Sequence, residues 1–288
     1  MNKMTRFIKL FAVLNILVFA ACRQKPAYTN PAGYDLTKPQ KYIMPDSLSE
    51  ISGIAFNKGN ADTLYAEEDE HGRVYYLKPG AQTAGHTEFK VEGDFEDMAI
   101  INNQVVVLQS KGVFFTFPLS SVLNPKIDNP SKIKDLLPEG EYEGMYGDEK
   151  ESKLYVLCKH CSDDKAKESS GYIFDMAADG ALKQSGEFKL NVKHIEEMMG
   201  EQKIKFHPSA LSRSPLTGEW FILSSVNKVL VIADEKWKIR EVHRLNPDVF
   251  IQPEGMTFDK QNNLYISNEG QPLHKANVLK FAFTKPKD

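Results

Sequence analysis

A short motif recurs five times along the chain, and this repetition restricts the possible folds more than any other feature. The five copies are EISGIAFN from Glu50, DFEDMAII from Asp94, EYEGMYGD from Glu141, HPSALSRS from His207 and QPEGMTFD from Gln252. Their third residues are 44, 47, 66 and 45 positions apart. A period of about 45 residues is typical of the blades of a β-propeller.

Each motif is followed by further segments rich in aromatic and β-branched residues, as strands are. The second segments are TLYAEED, QVVVLQS, KLYVLCK, EWFILSS and NLYISNE, and turns rich in Asn, Asp and Gly precede them. A third segment and usually a fourth follow. Four short antiparallel strands per repeat predict an all-β chain that forms a single propeller. Five blades are expected, with six as the alternative.

The two ends of the repeat region complement each other. The last repeat supplies its third strand, NVLKFAF, and no fourth, whereas QKYIMP stands alone ahead of the first motif. Pairing these two strands would close the ring and remove its open edges. The long interval of 66 residues is too short for another blade, and it contains NVKHIEEMMGEQKIKF. This segment predicts one short inserted helix, with Ile195, Met198 and Met199 on its packed face.

The beginning of the chain has the pattern of a targeting segment. Lys3, Arg6 and Lys9 precede the apolar run LFAVLNILVFAA, and small residues lead directly to Cys22. This run suits the apolar core of a signal peptide. We expect a signal peptide over residues 1–21 and a lipid, such as palmitate, on Cys22, with an ordinary signal peptide and a chance Cys as the alternative. Several acyl chains would hold the protein firmly on a membrane.

The residues after Cys22 predict a tether and limit the classes of partner. Residues 22–38 are polar and rich in Pro, which predicts a linker, and the propeller domain is expected over 39–288. Without the signal peptide the chain has 33 basic and 39 acidic residues, a formal net charge of −6, and no basic block. Nucleic acid is therefore not an expected partner. We expect a monomer in the cell envelope, on the periplasmic side of the outer membrane.

Two further cysteines stand close together. Cys158 and Cys161 form the sequence CKHC, with His160 between them. In an oxidising envelope they could form a disulfide, or they could remain free thiols. A single CxxC lacks the second ligand pair that a zinc site needs, so a metal site is the weakest of the three alternatives.

The motifs place polar residues at the axis of the predicted propeller. The first strand of each blade lines the central channel, and side chains two positions apart share a strand face. The third motif positions then form one ring, and the first positions form a second ring at the mouth. The predicted inner ring is Ser52, Glu96, Glu143, Ser209 and Glu254, and the outer ring is Glu50, Asp94, Glu141, His207 and Gln252.

Three carboxylates in a narrow ring would repel one another. A hard cation such as Ca²⁺, bound by Glu96, Glu143 and Glu254, would resolve this repulsion. Hydrogen bonds that join the blades around water, or an organic ligand, are the other two interpretations of the ring.

The motifs also resemble a known family. EISGIAF, DFEDMA, YEGM, FHPSAL and QPEGMTFD, in this order over nearly the whole chain after Cys22, are similar to the SdiA-regulated (YjiK-like) envelope lipoproteins. The resemblance implies a β-propeller in the cell envelope, related to phytase-like, lactonase-like and NHL-repeat proteins. It implies no particular activity.

Two functions are compatible with these features. The first is a non-catalytic binding or scaffolding module for a small ligand or an envelope protein. The alternative is a Ca²⁺-dependent hydrolase of an ester, lactone or phosphate ester, in which the metal activates water and Asp97 or His207 acts as general base. No catalytic elbow or phosphate-binding loop is present in the sequence, and we favour the binding module.

Overall fold

The computed structural model describes residues 28–165, 167–201 and 203–285. The predicted signal peptide and Cys22 lie outside these residues. The described residues form five four-stranded antiparallel sheets, the five blades that the repeat predicts. Within each blade, consecutive strands pair as neighbours.

The strands have the following bounds. Blade 1 contains β2 (Ile51–Ala55), β3 (Leu64–Glu68), β4 (His71–Leu77) and β5 (Gly85–Glu92); blade 2 contains β6 (Phe95–Ile101), β7 (Gln104–Gln109), β8 (Val113–Pro118) and β9 (Ser131–Ile133). Blade 3 contains β10 (Gly140–Asp148), β11 (Lys153–Cys161), β12 (Glu168–Met176) and β13 (Leu182–Asn191); blade 4 contains β14 (Ala210–Arg213), β15 (Trp220–Ser224), β16 (Val229–Ala233) and β17 (Ile239–Arg244). Blade 5 contains β18 (Pro253–Phe258), β19 (Leu264–Asn268), β20 (Asn277–Phe281) and, from the beginning of the chain, β1 (Gln40–Ile43).

Strand β1 closes the ring as predicted. It pairs antiparallel with β20, with Gln40 opposite Lys280 and Ile43 opposite Asn277. Residues just before β1, expected to be linker, pack on the domain: Tyr34 is 7% exposed and its hydroxyl donates to the carbonyl of Asn262 at 2.7 Å. This part of the predicted linker therefore contacts the propeller.

The core is divided among the contacts between blades. Five separate apolar clusters occur, one between each pair of adjacent blades, and each combines residues from both neighbouring sheets. Aromatic side chains such as Trp220, Phe95 and Phe174 are fully buried in them. Burial of each large apolar side chain contributes about 1.5–3 kcal/mol, so the stability of the ring depends on all five contacts.

The inserted segment forms one helix, α1 (Val192–Met199). Asn191 caps it by accepting a hydrogen bond from the His194 backbone N–H at 3.0 Å. Ile195 is fully buried, as predicted, and Met199 packs at the edge of the core. The prediction for Met198 is wrong: its side chain is 41% exposed, because Val192 rather than Met198 completes the buried face.

Neighbouring inner strands approach one another very closely at the fourth motif position. A Cβ atom on Gly255 would lie 2.3 Å from the carbonyl oxygen of Ser52 and 2.7 Å from Oγ of Ser267. A Cβ atom on Gly144 would lie 2.9 Å from the backbone of Ala210. Only glycine lets the backbones meet at these distances.

We therefore predict that Gly255→Ala destabilises the propeller by more than about 2 kcal/mol, because either the backbone of β2 or that of β18 must move. Gly186→Ala on the outer strand β13 is the matched control, since its added Cβ would meet Ile173 at an ordinary contact distance of 3.5 Å. Urea unfolding of both variants measures the difference. Equal stability of the two variants would contradict the close approach.

Candidate functional site

The predicted ring residues occupy irregular positions in the inner strands. The pairing of β2, β6, β10 and β18 with their neighbours shifts register around Ser52, Glu96, Glu143 and Glu254. A β-bulge re-aims the side chain at such a position. Ser209 differs, because it lies just before the first residue of β14.

Glu96 and Glu143 meet through a shared hydrogen bond. Burial, and secondly the charge of Glu143, raises the pKa of Glu96 to about 10, so Glu96 is protonated at neutral pH and donates to Glu143. Glu143 is only 6% exposed, and the Lys159 ammonium on β11 forms an ion pair with it. A lysine therefore supplies the positive charge that we expected from a metal at these two carboxyls.

A second group of carboxyls surrounds Glu254 and has no such lysine. We call Glu50, Asp69, Glu254 and Glu269 the acidic cluster. None of these four residues forms an ion pair with any residue in the described part of the chain. Its members come from blades 1 and 5, at the ends of inner and second strands.

Crowding within the acidic cluster changes the acidity of its members. Burial, followed by the charge of Glu143, raises the pKa of Glu254 to about 7. Burial and the charges of Glu254 and Glu50 raise the pKa of Glu269 to about 8. Burial, then Glu50 and other nearby carboxylates, raises the pKa of Asp69 to about 6. Burial is the largest cause of each of these shifts, and the charges of neighbouring carboxylates add to it.

Polar atoms near the mouth also lack partners. Among the described residues, Oδ1 of Asp69, Oδ1 of Asn268 and Oε2 of Glu67 are buried without a hydrogen bond. The position of Glu67, fully buried on β3, corresponds to Leu108 and Leu157 in the next blades. Its other oxygen accepts from the Gly53 backbone N–H at 2.5 Å, and burial raises its pKa well above the ordinary value.

The remaining ring members make ordinary structural contacts. Ser209 accepts a hydrogen bond from the Ser225 backbone N–H at 3.2 Å. Ser225 in turn donates to Glu254 at 3.3 Å. The carbonyl of Ser52 accepts from Ser267 at 2.7 Å, which joins blades 5 and 1. Neither serine contacts the carboxyls of the opposite blades.

The outer ring is not a uniform set. Asp94 accepts from Ser110 at 2.5 Å, and Glu141 pairs with Lys111 at 3.2 Å. Gln252 donates to the acidic cluster through Glu269. Nδ1 of His207 lies 3.2 Å from the carbonyl of Lys159. In the described part of the chain, Gln252 thus hydrogen-bonds to the acidic cluster, and Glu50 is itself a member of the cluster.

Asp97, one of the two candidate bases, is buried between two blades. It is 3% exposed, and its oxygens accept from the backbone N–H groups of Met98 at 2.8 Å and of Met145 at 2.6 Å. These bonds join β6 to β10. The structure therefore gives Asp97 a role in holding the inner strands together.

Cys158 and Cys161 are joined by a disulfide, with their Cα atoms 5.9 Å apart. Of the three alternatives for CKHC, the disulfide is the one present. It encloses Lys159, the residue that pairs with Glu143. The sequence pattern places Lys159, Asp69 and Glu269 at the ends of the second strands, which reach the same mouth, but it does not show which carboxyl each side chain approaches.

Comparison with known proteins agrees with this architecture. The sequence matches the SdiA-regulated family over residues 30–273. The chain belongs to the SdiA-regulated family. No curated protein resembles this member of the family significantly in sequence.

Several solved structures share its fold at low identity. Glutaminyl cyclase from Myxococcus xanthus aligns with a TM-score of 0.57 and 11% identity over 86% of this chain and 96% of that chain. The PQQ-bound aldose sugar dehydrogenase from Streptomyces coelicolor aligns with a TM-score of 0.55 and 11% identity over 89% of this chain and 100% of that chain. Regucalcin, a calcium-binding protein from Agrobacterium tumefaciens, aligns with a TM-score of 0.49 and 10% identity over 89% of this chain and 95% of that chain. At these identities the likeness shows the fold alone.

The raised pKa values of the acidic cluster predict how stability depends on pH. Carboxyls with a raised pKa bind more protons in the folded state than in the unfolded state, so the free energy of unfolding falls as pH rises. This loss should occur between about pH 4, near the ordinary pKa of these carboxyls, and about pH 8, because the folded-state groups have pKa values of about 6, 7 and 8. Urea unfolding of the protein in EDTA at several pH values measures it.

The double variant Glu254→Gln/Glu269→Gln should flatten this pH dependence, because two of the titrating groups are removed. Glu187→Gln, an exposed change on β13, should leave it as in the parent protein. A pH dependence that is equally steep in the parent and the double variant would refute the assignment.

Proposed function

We propose that this protein is a lipid-anchored envelope propeller that acts as a binding module, and that the acidic cluster at its channel mouth holds Ca²⁺. The observation that carries the calcium proposal is the crowding of Glu50, Asp69, Glu254 and Glu269 without an ion pair. A bound cation would relieve the repulsion that, after burial, raises the pKa values of Asp69, Glu254 and Glu269.

The acidic cluster fits this role better than the three ligands expected from the sequence. Glu143 already has Lys159 as its partner, and Glu96 shares a hydrogen bond with Glu143. Lys159 and Lys228 act on Glu254 only at a distance, and neither forms an ion pair with it. Glu269 and Glu50 would replace Glu96 and Glu143 beside it.

In the described part of the chain, the carboxylates of the acidic cluster do not form a ready-made group of three ligands within 4.8 Å. Among the described residues, two groups have three potential ligand atoms within 4.8 Å of one another. One group is Cys158, Cys161 and Asp164, and the other is Glu68, Glu70 and His71. The two cysteines form a disulfide, and His71 lies 3.0 Å from Glu68. The acidic cluster would therefore contact Ca²⁺ through few carboxylates at a time, with water completing the shell, which Ca²⁺ accepts.

The binding function is favoured over the hydrolase because the contacts of Asp97 do not suit a general base. Both of its oxygens are occupied by backbone N–H groups, and the side chain is buried between β6 and β10. A base must reach the water or substrate proton that it abstracts. His207 remains as the other candidate, with Nδ1 directed to a backbone carbonyl.

The anchoring part of the proposal comes from the apolar run before Cys22 and the small residues that lead to it. Lipid on Cys22 would place the propeller at a membrane surface, on the periplasmic side of the outer membrane. In the described part of the chain, no helix has the length and apolar character needed to cross a bilayer.

Calorimetric titration of the EDTA-treated protein with CaCl₂ tests the cation site. We expect binding with a Kd of about 10⁻⁴–10⁻³ M, as in extracellular modules with few ligand charges, and a rise in Tm with Ca²⁺. Glu254→Gln/Glu269→Gln should lose both effects, while Glu187→Gln should keep them. Neither heat nor a Tm change at millimolar Ca²⁺ would refute the site.

Substitution Cys22→Ser tests the anchor. We expect the parent protein in the membrane fraction and the variant in the soluble fraction, because the acyl chains are attached to this sulfur. Intact mass measurement should show the added lipid in the parent only. The control Cys158→Ser/Cys161→Ser should remain in the membrane fraction, and membrane retention of the Cys22 variant with unchanged mass would rule the anchor out.

A further inference from the structure

A cavity lies at the end of the inner strands opposite the acidic mouth. Following the inner strands away from the mouth, a cavity of about 710 Å³ opens at their far ends. This size suits a small organic ligand. Its innermost lining is formed by the fifth motif residues, all at most 4% exposed: Ile54, Met98, Met145, Leu211 and Met256.

The next motif position makes the cavity wall different on its two sides. Blades 1 and 2 contribute the methyl groups of Ala55 and Ala99, whereas blades 3, 4 and 5 contribute Tyr146, Ser212 and Thr257. In the described part of the chain, no hydrogen bond reaches the hydroxyls of these last three residues, and none of the three oxygens is a fully buried unpaired atom. One side of the wall is therefore apolar, and the other has hydroxyls available to a ligand.

The acidic side chains of the cavity rim already have partners. Arg213 contacts Asp148 at 3.1 Å, Glu151 at 3.4 Å and Glu235 at 3.2 Å. Lys58 pairs with Glu149 at 3.2 Å across blades 1 and 3. Asp259 accepts hydrogen bonds from Gln261, Asn263 and Tyr265. These contacts leave no acidic group of the rim without a donor.

The charges at the rim also balance closely. The lining contains five acidic residues and four basic residues, Lys58, Lys150, Arg213 and Lys260. Among the described residues, Lys150 and Lys260 have no ion-pair partner, and both are exposed at the outer edge. Neither sign of charge is concentrated at the hydroxyls. A ligand in the depth of the cavity would therefore meet apolar groups and hydroxyls rather than a net charge.

We propose that this cavity binds a neutral organic molecule with an apolar body and hydroxyl or carbonyl oxygens on one side. The apolar body would pack on the three methionines, whose flexible side chains adapt to different shapes. The oxygens would face Ser212 and Thr257. This site is independent of the calcium proposal, because it uses other residues at the opposite end of the channel.

Three probes with one ring and different charge test the proposal: cyclohexanol, cyclohexylammonium and cyclohexanecarboxylate. The protein is labelled with ¹³C at its methionine methyl groups, nine in the sequence, and the signals of Met98, Met145 and Met256 are assigned by Met-to-Leu substitutions. We expect cyclohexanol to shift these three signals at lower concentration than either charged probe. Equal shifts by all three probes, a preference for a charged probe, or no shifts up to 50 mM (roughly the weakest affinity that a ring of this size should show) would overturn the proposal.

Substitutions locate the hydroxyl contact. Thr257→Val and Ser212→Ala should each weaken cyclohexanol binding by roughly fivefold at most, the effect of one hydrogen bond, and at least one of them should do so. Thr257→Phe should block cyclohexanol by filling the cavity. Thr83→Val, at an exposed position outside the cavity, is the control. Unchanged cyclohexanol binding in all three cavity variants would place the probe elsewhere and refute the site.

Discussion

The close approach of the inner strands is the constraint on which the rest of this propeller depends. Where Gly255 meets Ser52 and Gly144 meets Ala210, backbone lies against backbone. Five strands gathered this tightly bring the side chains one position earlier toward a common axis. The convergence of carboxyls at the mouth is thus a consequence of packing, and the sequence around the axis must then compensate for the charge that packing concentrates.

The mouth compensates for this charge in three ways. Glu143 is balanced by Lys159, Glu96 is neutralised by a proton, and Asp97 is surrounded by backbone N–H groups from two strands. Each of these arrangements uses only the protein's own groups. The acidic cluster forms no ion pair in the described part of the chain, and this deficit of positive charge adds to burial in raising the pKa values of Glu254 and Glu269. A binding module can use such a deficit, because an incoming cation gains the interaction that the protein itself leaves unmade.

The sequence predicted the fold better than it predicted the site. A period of about 45 residues and one orphan strand were enough for five blades and their closure by β1, because the repeat is visible in the sequence and an unpaired edge strand needs a partner. The ring members Glu96, Glu143 and Glu254 were also visible in the repeat. The ion pair of Lys159 with Glu143 was not visible in the repeat, since it depends on how the Lys159 side chain crosses from the second strand to the inner strand. Likewise, nothing in the repeat distinguishes Glu67, buried and lacking a partner on one oxygen, from an exposed strand-end carboxylate. The prediction for Met198 was wrong for a related reason. Helical spacing identifies the apolar face of a helix, but the neighbouring blade decides which edge of that face is covered.

The two proposed sites can coexist because the channel is not one continuous space of uniform chemistry. Between the carboxyls and the cavity, each inner strand places one apolar residue that is at most 4% exposed and belongs to the apolar cluster between two blades. These apolar residues lie between the charged mouth and the neutral cavity along each inner strand. The third motif position of each inner strand lies at the charged end, and the residue three positions later, which is Ala, Ser, Thr or Tyr, lies at the cavity. A single repeated motif thus builds a surface for cations at one end of the axis and a pocket for uncharged molecules at the other, and the difference arises from the side chains that each blade presents along the same strand.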